Sequence, residues 1–356
     1  MKQPELMKQA ESKSGRIAVL LSTCNGAGYL VPLLESIQDQ SWPHWDLWVR
    51  DDGSTDDTVE ILEEFAGRLA QKNQPGTGSR MQVIRGENIG IVRSFFHLLG
   101  QAGDAYAGYA FCDQDDVWHP AKLERAVRAL KREVPFLYHG RQWLVDQESG
   151  EKILSPVPKR TGFANALIQN QVVGCTMVIN TPLRECVLET LQAGSEDDPS
   201  SGDNNHCSGD GDPCSGIIMH DWWCYLLASA TGHIHYDPEP VILFRRHEES
   251  TTPVATSSFR IIRKRLSALR KRDWSVGHIM HQARVLQRHF TQVTIRADSN
   301  LRCRLSDSDM QLLHSLINLQ SATFFGRIGY LFAGEHTRIG KIDTAIFRLL
   351  VLFKRF

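Results

Sequence analysis

The chain has 356 residues, with 40 Lys and Arg against 41 Asp and Glu for a formal net charge of −1, and it is 42% hydrophobic and 23% charged. This length and composition exclude a disordered chain and fit one large α/β domain with a smaller helical part. The near-neutral total hides an asymmetry: residues 257–356 hold 18 basic and 6 acidic side chains, and residues 1–256 hold 22 and 35, so the tail is expected to meet something anionic.

The first 14 residues form a polar tail without the apolar core of a signal peptide. No run of about 18 apolar residues is present, so no transmembrane helix is expected. The eight cysteines include no CxxC pair, and several sit in apolar runs. That pattern reads as small hydrophobes in a reducing compartment, and it excludes a zinc knuckle or thioredoxin-type motif.

The first predicted element is a strand over residues 17–22 (IAVLLS), a continuous apolar run suited to burial on both faces. A turn at Asn25-Gly26 leads into a helix over 29–40. Residues 46–50 read as a second strand, ended by the turn cluster Asp51-Asp52-Gly53-Ser54. Ser54 or Thr55 is expected to cap a helix over 56–69 with acids in its first turn. A strand over 81–85, a helix over 90–99, a strand over 109–112, a loop over 113–118 and a helix over 120–132 complete a βαβαβαβα order. Alternation of this kind predicts a Rossmann-like, mostly parallel sheet with helices on both faces, whose ligands bind beyond the carboxyl ends of the strands. The loops after Ser22, Arg50, Arg85 and Cys112 are therefore the ones that matter.

Beyond about residue 136 the alternation weakens. Strands are expected over 136–139, 175–179, 233–236 and 241–244, with a helix starting near Asp221. Residues 194–216 are rich in Ser, Gly, Asp and Asn and read as a flexible insertion; its His206, Cys207 and Cys214 fit neither EF-hand nor zinc spacing. The chain thus divides into the tail over 1–14, an α/β domain over 15–250, and a basic, mostly helical C-terminal extension over 251–356.

The strongest chemical signal is Phe111-Cys112-Asp113-Gln114-Asp115-Asp116-Val117-Trp118. Three carboxylates on one loop repel each other, and a divalent cation relieves that repulsion while using their oxygens as hard ligands. The plain alternative is an acidic turn in which Asp116 caps the next helix. The cluster Asp51-Asp52-Gly53-Ser54-Thr55-Asp56 suits hydrogen bonds to a ribose or base, or simply an N-cap turn. Asn88-Ile89-Gly90 with Arg93 suits a helix N-terminus that approaches a phosphate, or an ordinary helix start. Gly26 and Gly28 do not make a dinucleotide fingerprint, because Val31 stands where its third glycine belongs.

Taken in order and at fitting intervals, STCNGAGYL, VRDDGSTDDT, ENIG and FCDQDDVW resemble the inverting family 2 glycosyltransferases of GT-A fold over residues 17–132. A looser likeness continues through Val173–Met177, His220-Asp221-Trp222-Trp223 and Phe244-Arg245-Arg246-His247, and looks most like bacterial rhamnosyltransferases that build surface polysaccharides. The resemblance implies a UDP- or dTDP-sugar donor, a Mg²⁺ or Mn²⁺ cofactor, and a glycan or lipid-linked glycan acceptor. Thr23 and Asn25 then line the nucleotide pocket, with Asn88 and Arg93 nearby, and Asp52 holds the base or ribose. Asp113 and Asp115 form the DxD pair that meets donor and metal, with His247 as a further contact. Asp221 is the general base, which inverting transfer requires for the attacking hydroxyl. His220 reads as its packing neighbour. Cys175, Thr176, Trp222 and Trp223 are candidates for the acceptor side, where an indole stacks on a sugar face or fills the core.

Residues 259–272 and 342–356 interleave bases with apolar side chains, a pattern suited to an anionic membrane surface or to packing on the main domain. A cytoplasmic protein, peripheral on the inner face of the membrane, is expected, and no nucleic-acid partner is indicated. Two rivals stay open. One is a nucleotidyltransferase, which normally has a Gly-rich basic loop after the first strand, where Ser22–Asn25 carry no basic residue. The other is a non-catalytic membrane-associated scaffold, whose mark is loss of acids that are all present here.

Overall fold

The computed structural model describes residues 15–72, 78–146, 149–159, 161–194, 212, 214–246, 276–295, 305–333, 338 and 341–353. The polar tail, most of the expected insertion, the basic stretch 259–272 and His247 lie outside the described residues.

The first half follows the predicted alternation: β1 (Ile17–Thr23), α1 (Ala27–Gln38), β2 (Trp45–Asp51), α2 (Thr58–Lys72), β3 (Met81–Arg85), α3 (Ile91–Gln101) and β4 (Gly108–Asp113). Strands β3, β2, β1 and β4 lie side by side and run parallel. Every side chain of β1 but Ser22 is buried, which is why this strand reads as an unbroken apolar run instead of an alternating one.

The rest of the sheet reverses direction. After β5 (Asp116–Trp118), α4 (Lys122–Ala129), β6 (Phe136–Asp146) and β7 (Lys152–Leu154) come a short helix α5 (Phe163–Ala166), a 3₁₀ turn over Gly174–Thr176, and β8 (Met177–Asn180). Helices α6 (Thr181–Gly194) and α7 (His220–Thr231) precede β9 (His233–Arg246). Among the described residues these nine strands form one sheet in the order β3-β2-β1-β4-β8-β6-β9-β5, with β7 on β6. β8 is antiparallel to both β4 and β6, β6 is parallel to β9, and β5 is antiparallel to β9.

Three expectations are corrected here. The loop 113–118 ends in a strand, because Asp116–Trp118 pairs with Ile242–Phe244. The two late strands are one, β9, which shifts register against Gly140–Gln142. Residues 175 and 176 are a turn that leads into β8.

Helices cover both faces. On one, α1, α2 and α4 bury Leu30, Leu33, Ile37, Leu62, Phe65 and Leu123 against the sheet; on the other, α3, α6, α7 and the C-terminal helices pack around Phe95, Leu183, Trp223 and Leu286. Each such Leu or Phe, fully buried, contributes roughly 1.5–3 kcal/mol. Helix α7 is buried at every position from His220 to Ala228, as befits a helix apolar on all sides.

The C-terminal extension is helical as expected, with α8 (Val276–Ile295), α9 (Asp307–Asn318), α10 (Phe324–Ala333) and α11 (Lys341–Leu352). Its buried Ile279, Leu286, Leu313 and Val351 join the second core, so it is packed on the main body. Among the described residues no helix is long and apolar enough to cross a membrane. Cys24, Cys112, Cys175, Cys214 and Cys224 are free thiols, whereas Cys186 is disulfide-bonded, which corrects the reading of uniformly reduced cysteines.

Candidate active site

The strand register fixes the edge where the motifs meet. Thr23 pairs with Asp51, and Ser22 lies between Arg50 on one side and Asp113 on the other. The motif loops therefore emerge together at the carboxyl ends of the parallel strands.

The loops after β1 and β2 are joined by side chains. The Thr23 hydroxyl donates to the Asp51 carboxylate at 3.1 Å, and the Ser54 amide and hydroxyl donate to the same carboxylate at 3.0 and 2.5 Å. Asn25 has a φ of 49°, a left-handed conformation that Asn tolerates better than most residues. Its side-chain oxygen accepts from the Thr55 amide at 2.8 Å, while its own amide donates to the Ser54 hydroxyl at 2.8 Å. The Gly26 amide donates to the Thr58 hydroxyl and the Ala27 amide to the Asp56 carboxylate, at 2.8 and 3.0 Å. Asp56 also accepts from the Thr58 amide, so α2 begins at Thr58, two residues later than predicted.

Asp52 is buried; its amide donates to the Thr23 carbonyl at 2.8 Å and its carboxylate pairs with the Arg50 guanidinium. Arg50 also donates to the Glu87 carbonyl at 3.2 Å, tying in the loop after β3. There Asn88 accepts from the Gly90 amide at 3.0 Å and donates to the Cys24 sulfur at 3.5 Å. Gly90 has a φ of 81°, which favours glycine at this turn into α3. Arg93, expected near the donor phosphates, forms a two-pronged pair with Asp212 at 3.1 and 2.6 Å. A carboxylate thus already neutralises it, and that carboxylate belongs to the segment read as a loose insertion.

The acidic loop differs in character. Ligand atoms of Asp113, Asp116 and Cys175 lie within 4.8 Å of one another. Asp116 is 0% exposed, and among the described residues no N–H or O–H group donates to its oxygens, which meet the weakly donating Cys175 thiol. It therefore does not cap α4, whose N-cap position, Ala121, has no side-chain cap. Burial first, then the charges of Asp113 and Asp115, hold its carboxyl well above the usual range, with the Cys175 thiol and Lys122 acting the other way.

Lys122 is the buried cation of this region. Its Nζ donates to the Cys175 carbonyl at 2.6 Å and lies 3.1 Å from the centre of the Trp118 ring, and burial lowers its pKa to about 8. Arg245 holds the loop from the other side, donating to the Asp115 carbonyl at 2.5 Å and to the Tyr29 carbonyl at 2.8 Å.

Asp221 lies in the first turn of α7, where the helix dipole favours a negative charge. Its carboxylate accepts from the Gly174 amide at 3.1 Å and the Trp222 amide at 2.6 Å. Burial raises its pKa to about 6, with the Trp222 amide, Asn170 and the Gly174 amide acting against the rise. Asp113 is pushed to about 7 by burial first, then by the charges of Asp115 and Asp221. The charge of the general-base candidate thus raises Asp113 in the acidic loop.

The oxygen donors of the loop suit a hard divalent cation, and the Asp116 oxygens, met by no N–H or O–H group among the described residues, mark the same place. Burial pushes the Cys175 thiol well above its ordinary range.

The expected acceptor residues fare differently. Trp222 and Trp223 are 4% and 0% exposed, and their indole N–H groups donate to the Ala166 carbonyl at 2.6 Å and the Thr190 hydroxyl at 2.9 Å. Both are core side chains with no face open to a sugar, which corrects the stacking expectation. The buried Thr176 hydroxyl donates to the Val173 carbonyl at 2.8 Å, and Cys175 turns toward the acids, so neither presents a group to an acceptor. His220, as expected, is packing: it sits 4.2 Å from the Phe95 ring and 5.4 Å from Phe111, neutral, with its pKa lowered to about 3 by burial.

Residues 18–191 match the family described as Glycosyl transferase family 2. The chain carries a family 2 glycosyltransferase domain. Its mixed sheet flanked by helices is the GT-A arrangement implied by the sequence motifs. Among curated proteins this glycosyltransferase is 26% identical over 256 residues to the dTDP-rhamnosyl transferase RfbG of Shigella flexneri, covering 71% of this chain and 80% of the relative. It is also 26% identical over 165 residues to the UDP-Glc:alpha-D-GlcNAc-diphosphoundecaprenol beta-1,3-glucosyltransferase WfgD of Escherichia coli, covering 46% of this chain and 59% of the relative. Among solved structures, TarS 1–349 of S. aureus in complex with UDP-GlcNAc aligns over 88% of this chain and 83% of that one, with 16% identity and a TM-score of 0.48.

Sequence reasoning gave no separate role to Asp51, Gln114 or Lys122. Asp51 carried a signal, since it stands in the acidic turn beside Asp52. Lys122 carried none: a lone Lys at a helix start normally lies in solvent.

Proposed function

We propose that the protein transfers a sugar from a nucleoside diphosphate-sugar to a hydroxyl of a glycan or lipid-linked glycan, with inversion at the anomeric carbon. The observation that carries this reading is a buried carboxylate, Asp221, raised to about 6 and close enough to the acidic loop to raise Asp113 in turn. A base of that strength is ionised at neutral pH yet still draws a proton from an attacking hydroxyl. The helix start and the Gly174 amide hold its carboxylate in one orientation.

Thr23, Asn25, Asp52 and Asn88 receive the nucleoside at the interlocked loops. Asp113 and Asp115 hold Mg²⁺ or Mn²⁺, with His247 as an added ligand. The cation supplies positive charge against the departing diphosphate.

A dTDP-rhamnose donor and a role in surface-polysaccharide assembly are the finer form of the proposal, supported by the stated activity of RfbG and by the motif resemblance. A lipid diphosphate-linked acceptor is supported by the stated substrate of WfgD. The basic C-terminal extension then rests on the anionic inner face of a membrane.

The test is a transfer assay pairing UDP- and dTDP-sugars with lipid diphosphate-linked saccharides in the presence of Mn²⁺, with product anomers read by NMR. Transfer with inverted configuration, reduced by three orders of magnitude or more in D221N, is expected. Retained configuration, or a fully active D221N, overturns the assignment of the base.

A further inference from the structure

The side chain of Gln114, the middle residue of the acidic motif, makes a specific contact. The Gln114 carboxamide oxygen accepts from the Cys24 amide at 2.9 Å, and its nitrogen donates to the Cys24 carbonyl at 3.1 Å. One side chain thus satisfies both backbone groups of one residue, as a neighbouring strand would. Cys24 stands between Thr23 and Asn25, and Gln114 stands between Asp113 and Asp115.

Gly26 reports how tightly this clasp is packed. A Cβ on Gly26 would fall 2.4 Å from the Gln114 side-chain oxygen and 2.7 Å from its amide carbon. With a φ of −105°, Gly26 has a backbone conformation open to any residue. The space given to Gln114, and not backbone strain, therefore accounts for a glycine here.

We infer that Gln114 is a positioning residue that couples the nucleoside subsite to the metal-holding loop, so that order in one is transmitted to the other. The inference rests on the glycosyl-transfer reading above. The two bonds carry it: they join backbone that places the nucleoside contacts to backbone that places the carboxylates, and they do so without using a carboxylate of the loop. Arg245 ties the Asp115 carbonyl to α1 in the same sense, so the motif is held at two adjacent residues.

The coupling is measurable as the factor by which Mn²⁺ tightens nucleoside diphosphate binding, read by calorimetry with UDP and dTDP as probes. In Q114L, which removes both bonds, metal-free affinity is expected to stay within about twofold of wild type while the Mn²⁺ gain falls about tenfold, as expected for two lost hydrogen bonds. Q114E keeps the shape and the acceptor but loses the donor to the Cys24 carbonyl. G26A, by displacing the same side chain, reproduces Q114L, and the double variant Q114L/G26A shows no additive loss.

If metal-free and metal-assisted affinities fall together in both Q114L and Q114E, the residue is a structural prop and the inference is wrong. If the Mn²⁺ gain is unchanged in Q114E and G26A, it is equally wrong. If wild type binds neither probe with or without Mn²⁺, the glycosyl-transfer reading fails first and takes this inference with it.

Discussion

The two sides of this site are built on opposite principles. On the side of β1, β2 and β3, polar side chains are paired: Asp51 with Thr23 and Ser54, Asn25 with Thr55, Asp52 with Arg50. On the side of β4, the 3₁₀ turn and α7, carboxylates are buried close together, and no N–H or O–H group among the described residues donates to Asp116. The first arrangement stabilises a shape, whereas the second holds charge at a cost in stability. Functional sites accept such costs because a fully satisfied carboxylate has little left for a ligand.

If that contrast is right, substitutions on the two sides differ in kind. The largest effect belongs to D221N, with turnover lowered by three orders of magnitude or more and Tm unchanged or raised, measured by initial rates and thermal melting. On the paired side, D51N weakens three hydrogen bonds at once, and a loss of about 2–3 kcal/mol in denaturant unfolding is expected. An N25A variant loses less, because the Asn25 backbone bond to Ser54 survives. A D51N that melts like wild type removes the contrast.

The core tryptophans sharpen it from another direction. W223A leaves a large cavity and loses the bond to Thr190, so a drop of about 3–5 kcal/mol in unfolding free energy is expected. W223F retains most of the stability and a near-normal acceptor KM, because no sugar stacks on this ring. A large KM effect with unchanged stability would return Trp223 to the acceptor site.

The pH dependence follows from the raised carboxyls. Asp113 has its pKa lifted from 3.8 to about 7 in the folded protein. The folded state therefore binds the proton more tightly than the unfolded state. That contribution is complete below pH 3.8 and is lost as the pH rises through 7. Thermal melts of metal-free protein should show this decline between about pH 4 and 7, and D113N should flatten it. Metal-assisted binding has the opposite slope, since the carboxylate that holds the cation forms over the same range. The smallest effect is R93A, less than threefold on donor affinity, because Asp212 already neutralises that guanidinium.

The balance between legible and hidden features has a physical basis. The βαβαβαβα half was readable because buried parallel strands give continuous apolar runs and their end loops carry compact motifs. That acids follow β4 and open α7 was readable from Asp113 and Asp221 in the sequence. The face a side chain presents was not: Trp222 and Trp223 follow Asp221 on a helix buried all round, and nothing local distinguishes a core indole from a sugar-stacking one. Strand β5, three residues long, exists only through its pairing with β9. Lys122 becomes a buried cation, and Gln114 a clasp on Cys24, only when segments distant in sequence come together.

The central claim is that the acidic loop attracts a diphosphate only through a divalent cation held by Asp113 and Asp115. Titrating UDP or dTDP into wild type and D113N at pH 8, with and without Mn²⁺, tests it most directly. At least a tenfold gain with Mn²⁺ in wild type and none in D113N is predicted; an equal gain in both proteins would contradict the claim.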